Sequence, residues 1–187
     1  STGTITTKGG YVVLDATGGT VSGTSIAIGS ITNAPIYLTS TLNTTNSGLS
    51  GNSAGGDLSL AGSNSVANSL GSFEWNAGLN IGGNATFQVK SASAASYGFV
   101  VENYGTSAPI TAYGNININS SGVNANGAGL IHLSSALTST TGNISLTATS
   151  TNTTITNNPG ITSVSTGTIT ANSGSITINS STYVSSA

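Results

Sequence analysis

Three ionisable residues at similar intervals are the strongest candidates for chemistry in this sequence. Glu74, Glu102 and His132 lie 28 and 30 residues apart. If the chain repeats with a period near those intervals, the three side chains form one column on a face of the protein. Two stacked carboxylates could then act as acid and base on a glycosidic bond. The other acidic and basic residues are Lys8, Asp15, Asp57 and Lys90.

The composition argues against this catalytic interpretation. The chain has seven acidic, basic or histidine residues among 187, so one nearly aligned triplet arises easily by chance. It also lacks Arg and the paired Asp residues with which enzymes of acidic sugars bind their substrates. We therefore predict that the protein is not an enzyme. A carbohydrate-binding or carbohydrate-cleaving protein that uses Glu74, Glu102 and His132 remains the alternative.

The chain is polar but almost uncharged. Ser, Thr, Gly and Asn make up 109 of the 187 residues, whereas Asp, Glu, Lys and Arg number six. A formal charge of −2 makes nucleic acid and anionic membranes poor partners. The absence of Cys excludes disulfides and thiolate sites, and no apolar run reaches the ~20 residues of a transmembrane helix. The chain begins at Ser1 without a leader pattern, which predicts a mature secreted product or an interior segment.

Pairs of large apolar residues, separated by one residue, recur with a period near thirty. Side chains two apart face the same side of a strand, so each pair is expected to face inward. Small residues lie two positions before and after every pair, as a narrow turn requires. A period of this length predicts a β-solenoid. The pairs are Ile26/Ile28, Leu58/Leu60, Phe87/Val89, Ile116/Ile118, Ile144/Leu146 and Ile176/Ile178.

Two further sets of apolar residues interleave with the first, which predicts three strands per turn and about six turns. Residues 1–187 then form a single all-β domain. A helix is disfavoured because Gly, Ser, Thr and Asn are abundant and the apolar period is two, while a β-sandwich stays open as an alternative. The second set is Ile5, Ile36/Leu38, Val66 or Leu70, Phe99/Val101, Ile131/Leu133 and Ile161/Val164; the third is Leu14, Leu49, Leu79/Ile81, Ile110, Leu137 and Ile169.

The outward residues of the first set form mixed polar columns. In GNININSSG, residues 114–122, we expect Asn115, Asn117 and Asn119 to face solvent. Thr-x-Thr segments occur elsewhere, but these columns contain no continuous Thr array, so an ice-binding protein is a remote alternative. Asp57 stands without other carboxylates nearby in sequence, and we predict neither a metal site nor a cofactor.

Aromatic residues cluster in the middle third of the chain. We expect them either to fill a wider part of the core or to form a lateral contact patch for a sugar or a neighbouring rod. The patch would consist of Trp75, Tyr97, Tyr104 and Tyr113.

The segments GNISLTATS, GTITANSGSITINSS and GNININSSG resemble the repeats of filamentous-haemagglutinin-like proteins and autotransporter passengers, the β-strand-repeat surface proteins of Gram-negative bacteria. The resemblance implies a right-handed β-helix, secretion, and a place at the bacterial cell surface as a stalk or adhesin. It transfers no catalytic or ligand residue.

The ends of a solenoid expose unpaired strand edges, which invite pairing with another chain. Neither terminal segment offers a helix or a charge cluster to cover them, so we expect adjoining solenoid segments or copies of the chain to stack end to end. The predicted function is that of a non-enzymatic, extracellular structural or adhesive β-helix in a surface filament, adhesin stalk or sheath. Host or matrix glycans are further predicted partners.

Overall fold

A computed structural model gives the fold as strands and the turns that connect them. None of the described residues lies in a helix, and hence no helix among them could cross a membrane. The structure describes residues 5–6, 12–15, 26–28, 36–38, 42–43, 57–64, 73–75, 78–91, 101–103, 109–122, 130–150, 160–163, 166–181 and 184–186.

Nineteen strands are present in the described part of the chain, and most are three residues long or slightly longer. In chain order they are β1 (Ile5–Thr6), β2 (Val12–Asp15), β3 (Ile26–Ile28), β4 (Ile36–Leu38), β5 (Leu42–Asn43), β6 (Leu58–Asn64), β7 (Phe73–Trp75), β8 (Leu79–Ile81), β9 (Ala85–Ser91), β10 (Val101–Asn103), β11 (Ile110–Ala112), β12 (Ile116–Gly122), β13 (Ile131–Leu133), β14 (Leu137–Ser139), β15 (Ile144–Ser150), β16 (Ile161–Ser163), β17 (Ile169–Ala171), β18 (Ile176–Ser180) and β19 (Val184–Ser186).

The strands form three parallel sheets, so the protein is all-β. From β4 onward the chain visits the second, first and third sheets in rotation, and each strand pairs with the strand three elements later. The order of the first sheet is β1-β5-β8-β11-β14-β17, that of the second β3-β4-β7-β10-β13-β16-β19, and that of the third β2-β6-β9-β12-β15-β18.

Alternation of side chains explains how each strand contributes to the interior. In β12, Ile116 and Ile118 are buried whereas Asn117 and Asn119 are exposed, which confirms the predicted inward and outward sides. Ile144 and Leu146 occupy the same buried columns in the adjoining β15. The sequence period of two is therefore the signal that positions the core.

One apolar cluster lies between the sheets. Phe87 is the largest of its fully buried side chains, and every sheet contributes to the cluster. Two buried serine hydroxyls in this interior are hydrogen-bonded: Ser120 Oγ donates to the Leu130 carbonyl oxygen at 2.9 Å, and Ser139 Oγ donates to the Gly114 carbonyl oxygen at 2.7 Å. The buried residues are Leu58, Leu79, Ile81, Ala85, Phe87, Ile110, Ala112, Ile116, Ile118, Leu130, Ile131, Leu133, Leu137, Ile144, Leu146, Ala148 and Ile161.

The predicted register of β9 was wrong by two residues. Phe87 pairs with Ile118, and Ala85, not Phe87, lies opposite Ile116. Both Ala85 and Phe87 are fully buried. The prediction aligned the largest apolar residues of each strand. In β9 the first inward residue is the small Ala85, so alignment by side-chain size gave the wrong register.

Some strands also belong to other sheets than predicted. Ile26–Ile28 pairs with β4 in the second sheet, and β2 lies beside β6, with Val12 opposite Leu58. Leu14 accordingly belongs to the third sheet with the first apolar set, and Ile5 belongs to the first sheet. An alternating pair identifies a strand, but it does not identify the sheet that the strand joins.

The second apolar set also contains a shift of two residues, because Val101 pairs with Ile131. The predicted core residues Leu49, Val66, Leu70, Phe99 and Val164 lie outside the described residues.

Candidate functional site

The three candidate catalytic residues occupy one register column of the second sheet. Glu74 in β7 pairs with Glu102 in β10, and Glu102 pairs with His132 in β13. Tyr37 and Thr162 extend the column on either side. The side chains of Glu74 and Glu102 lie outside the described part of the structure, so their catalytic role stays a prediction.

His132 is half-buried between two core residues. Ile131 and Leu133 point inward, and the imidazole Nε2 lies 2.9 Å from Ser134 Oγ. Loss of water around the ring lowers the pKa of His132 below its ordinary value, because burial disfavours the charged form. The lowered pKa favours the neutral imidazole, the form that can accept a proton.

The predicted aromatic patch is only partly within the described structure. Trp75 lies in β7, whereas Tyr113 lies in the corner between β11 and β12. The Tyr113 carbonyl oxygen accepts hydrogen bonds from Thr141 N at 2.8 Å and Thr141 Oγ1 at 2.7 Å. Tyr97 and Tyr104 lie outside the described residues, so the patch also stays a prediction.

A ladder of Asx side chains stacks at the corner before the third sheet. The backbone N–H of each corner residue donates to the side-chain oxygen of the equivalent residue in the preceding corner. This bond satisfies a backbone N–H that takes no part in the hydrogen bonding between strands. The four bonds are Asn84 N to Asp57 Oδ1 at 2.6 Å, Asn115 N to Asn84 Oδ1 at 2.8 Å, Asn143 N to Asn115 Oδ1 at 2.8 Å and Ser175 N to Asn143 Oδ1 at 2.8 Å.

Glycine precedes each ladder residue, and at Gly114, Gly142 and Gly174 the preceding corner occupies the space of a side chain. A Cβ added at Gly114 would lie 2.5 Å from Asn84 Oδ1, and one added at Gly142 would lie 2.5 Å from Asn115 N. Real Cβ atoms do not approach so closely. The Gly-Asn dipeptide is thus a structural unit in which the glycine of one turn accommodates the asparagine of the preceding turn.

The sequence interpretation missed this ladder. Alternation predicts only that Asn115 faces solvent, whereas in the structure Asn115 N also donates to Asn84 Oδ1 in the preceding corner. The available signal was the Gly-Asn dipeptide at 83–84, 114–115 and 142–143, preceded by Gly-Asp at 56–57. Gly-Asn also occurs at 51–52, so the dipeptide indicates this corner only together with the spacing of about thirty residues.

The ladder explains the one carboxylate that stood out as a metal candidate. Asp57 Oδ1 accepts hydrogen bonds from Asn84 N at 2.6 Å and Asn84 Nδ2 at 3.1 Å, so it caps the stack of amides. Within the described residues no three His, Cys, Asp or Glu side chains come together to hold a metal.

The outer face of the third sheet carries neutral polar side chains in register. Thr86, Asn117 and Ser145 form one column with Thr177, and the next column is Gln88, Asn119, Thr147 and Asn179. This face has no continuous Thr array, whereas Thr111, Thr138 and Thr170 share a register column on the first sheet, so ice binding stays an alternative.

In the described part of the chain, neutral amide and hydroxyl side chains thus outnumber the carboxylates, amines and imidazole that could transfer a proton. Comparison with protein-family models, curated proteins and solved structures gives no match to this chain. Its function is therefore inferred from geometry: stacked parallel strands, a neutral polar outer face, and an apolar strand at one edge.

Proposed function

We propose that this chain is a segment of an extracellular structural or adhesive filament, such as an adhesin stalk or sheath, that assembles by end-to-end strand stacking. Its fold would be a right-handed β-solenoid with three strands and about thirty residues per turn and about six turns. The rotation of the chain through three parallel sheets supports this, as do corner hydrogen bonds between residues 27, 31, 28 and 32 positions apart.

The exposed apolar residues of β18 are the observation on which the proposal rests. Ile176 and Ile178 are 44% and 41% exposed, although they occupy the columns in which Ile144 and Leu146 are fully buried. β18 forms one edge of the third sheet and β2 forms the other. A strand edge with uncovered aliphatic side chains favours pairing with another strand.

A second copy of the chain fits this edge. The opposite edge strand, β2, aligns Val12 and Leu14 with the apolar columns of the same sheet. Stacking β2 of one copy on β18 of another would continue both apolar columns and the parallel hydrogen bonding. Because the two edges differ, the contact is head-to-tail and can repeat without closing, as filaments require.

The extracellular location in this proposal comes from the resemblance to bacterial surface repeats and from composition. A chain without Cys and with little charge presents a neutral polar surface, suited to a stalk or sheath rather than to contact with nucleic acid.

Electron microscopy and analytical ultracentrifugation of the purified chain test the assembly. We expect wild-type protein to form fibres with an axial repeat near ~30 Å, the length of about six strand layers, or a multiple of it. The double variant Ile176→Lys/Ile178→Lys should stay monomeric, because a second copy would bury two ammonium groups.

The matched control is Thr177→Lys/Asn179→Lys, which adds the same charge to the same strand on exposed outward residues. It should still assemble. A wild-type chain that remains monomeric at every concentration, or an Ile176→Lys/Ile178→Lys chain that assembles normally, would refute the proposal.

The register column of the second sheet favours a second candidate function, carbohydrate binding or cleavage. Glu74 and Glu102 lie on neighbouring strands, whose spacing of ~4.8 Å is close to the ~5 Å between the carboxyl groups of retaining glycosidases. A glycan array and a reducing-sugar assay on wild type and Glu102→Gln test it. Activity that Glu102→Gln abolishes would support this function, and no binding or release on any glycan would eliminate it.

A further inference from the structure

A groove crosses the outer face of the third sheet, away from the Glu74–Glu102–His132 column on the second sheet. It encloses about 300 Å³ and spans β9, β12 and β15. Phe87 and Ile118 are buried, so they offer the groove no exposed side chain. The groove is lined by Thr86, Phe87, Gln88, Asn117, Ile118, Asn119, Ser145 and Thr147.

The walls of the groove consist of two columns that follow the stacking direction. Asn117 lies between Thr86 and Ser145 on the neighbouring strands. Asn119 lies likewise between Gln88 and Thr147. Neighbouring strands place successive members ~4.8 Å apart, which is comparable to the length of one pyranose unit.

These six side chains supply three amides and three hydroxyls and no charge. Each amide offers two N–H donors and a carbonyl acceptor, and each hydroxyl can donate and accept. Hydrogen bonds among the described residues engage none of the six side chains. Gln88, Asn117 and Asn119 are exposed, so their amides are open to a ligand.

We propose that this groove binds an uncharged glycan chain lying along the stacking direction. A side-chain amide donates hydrogen bonds through its NH₂ group and accepts them through its carbonyl oxygen. Two adjacent sugar hydroxyls can each donate and accept a hydrogen bond, so they pair well with one amide. No ionised side chain lines the groove, so a phosphate or carboxylate ligand would lose its water without a counter-charge. No exposed aliphatic or aromatic side chain lines it either, which disfavours an apolar peptide anchor.

Binding of one glycan to one groove should be weak. The groove is shallow and offers hydrogen bonds that replace those with water, so each contributes little. Dissociation constants around 1 mM are expected for a short oligosaccharide. A longer glycan that contacts several grooves would bind more tightly through avidity.

Two-dimensional ¹H–¹⁵N NMR of the intact chain tests the site directly. The side-chain amides of Gln88, Asn117 and Asn119 are reporters within the groove. Cellopentaose, laminaripentaose, mannopentaose and chitopentaose are titrated separately, with pentagalacturonic acid as the acidic comparison. At least one neutral pentasaccharide should shift these three amide signals in a saturable way, and the acidic one should not.

The double variant Asn117→Ala/Asn119→Ala should weaken that binding roughly fivefold or more for each amide removed. Asn80→Ala is the matched control, since Asn80 is an exposed amide on β8 in the first sheet. The Asn80→Ala chain should bind the pentasaccharide with the same affinity as wild type. Thermal melting shows that both variants fold.

The proposal fails if no neutral pentasaccharide shifts the groove amides at ~10 mM, about ten times the expected dissociation constant. It also fails if pentagalacturonic acid binds equally well, or if a well-folded Asn117→Ala/Asn119→Ala chain binds as wild type does. Recording the spectra in the Ile176→Lys/Ile178→Lys background, which should stay monomeric, keeps all of these outcomes independent of end-to-end assembly.

Discussion

Ile116 and Asn117 are adjacent in sequence and have opposite surroundings. Ile116 is fully buried, and Asn117 is exposed. Ile116→Asp should lower the free energy of unfolding by about 4 kcal/mol or more, because it buries an unpaired carboxylate. Asn117→Asp should change it by less than about 0.5 kcal/mol. Urea unfolding followed by circular dichroism measures both, and similar losses would contradict the assignment of inward and outward sides.

The His132 imidazole should make stability depend on pH. Burial lowers its folded-state pKa below the ordinary value of 6.5, so the unfolded chain binds the proton more readily. The free energy of unfolding should therefore be highest above pH 6.5 and fall as the pH drops towards the lower folded pKa. His132→Gln should be less sensitive across that window, as urea unfolding at several pH values would show. An unchanged pH dependence in His132→Gln would exclude His132 as its cause.

At the scale of single residues, the sequence predicted which side chains face inward and which face solvent wherever the alternation along a strand determines this. Ile116, Asn117, Ile118 and Asn119 follow the strand period and lie as predicted. Asn115 is partly exposed, and its side chain also accepts a hydrogen bond from Asn143, 28 residues later in the chain, which alternation does not predict. A local pattern cannot reveal an acceptor whose donor belongs to the next turn.

At the corners between strands, replacing a glycine should destabilise the protein where the Asx ladder occupies the space of a side chain. Gly142→Ala would place a Cβ 2.5 Å from Asn115 N and from the Gly114 carbonyl carbon, both backbone atoms that cannot rotate away. We expect a loss of about 1–3 kcal/mol. At Gly78 the nearest atoms to an added Cβ, both in Pro109, are 3.9 Å away. Gly78→Ala should therefore be tolerated in thermal unfolding, and equal losses would show that ladder contact is not the reason for glycine.

The ladder should depend on an oxygen acceptor rather than on the amide group as such. Asn115→Ala leaves Asn143 N without its side-chain acceptor and should cost about 1 kcal/mol. Asn115→Asp keeps the oxygen, as Asp57 does at the head of the stack, and should retain more stability than Asn115→Ala. Urea unfolding of the two variants measures the difference. An Asn115→Ala chain as stable as wild type would show that the ladder bond contributes no net stability.

At the scale of strands, the sequence predicted where strands form but not which strands pair with each other. The apolar alternation identified β12, β15 and β18 because each contains a large aliphatic pair. It misaligned β9, where Ala85 takes the first inward position, and it misplaced β3. Parallel pairing depends on the length of the connecting corners, which apolar spacing does not encode. Gly-Asn dipeptides occur at three of the corners before the third sheet, at 83–84, 114–115 and 142–143.

For the whole molecule, nearly all stabilisation must come from burial and hydrogen bonding. Six Asp, Glu, Lys and Arg residues among 187 allow few ion pairs. The candidate site is accordingly the least predictable part, since the groove on the third sheet depends on Gln88 lying beside Asn119. That pairing follows from the register that the sequence interpretation misaligned at β9.

The scarcity of charge should make this protein insensitive to ionic strength. Sodium chloride screens charges beyond about 10 Å at ~0.1 M, but a formal charge of −2 leaves little to screen. Raising sodium chloride from ~20 mM to ~500 mM should therefore move the thermal midpoint by less than about 2 °C. Sodium sulfate is the comparison, because it strengthens apolar burial by exclusion from the surface and should raise the midpoint. Differential scanning calorimetry in both salts measures this, and a clear fall of the midpoint in sodium chloride would mean that attractive ion pairs, which salt weakens, contribute more than six charged residues suggest.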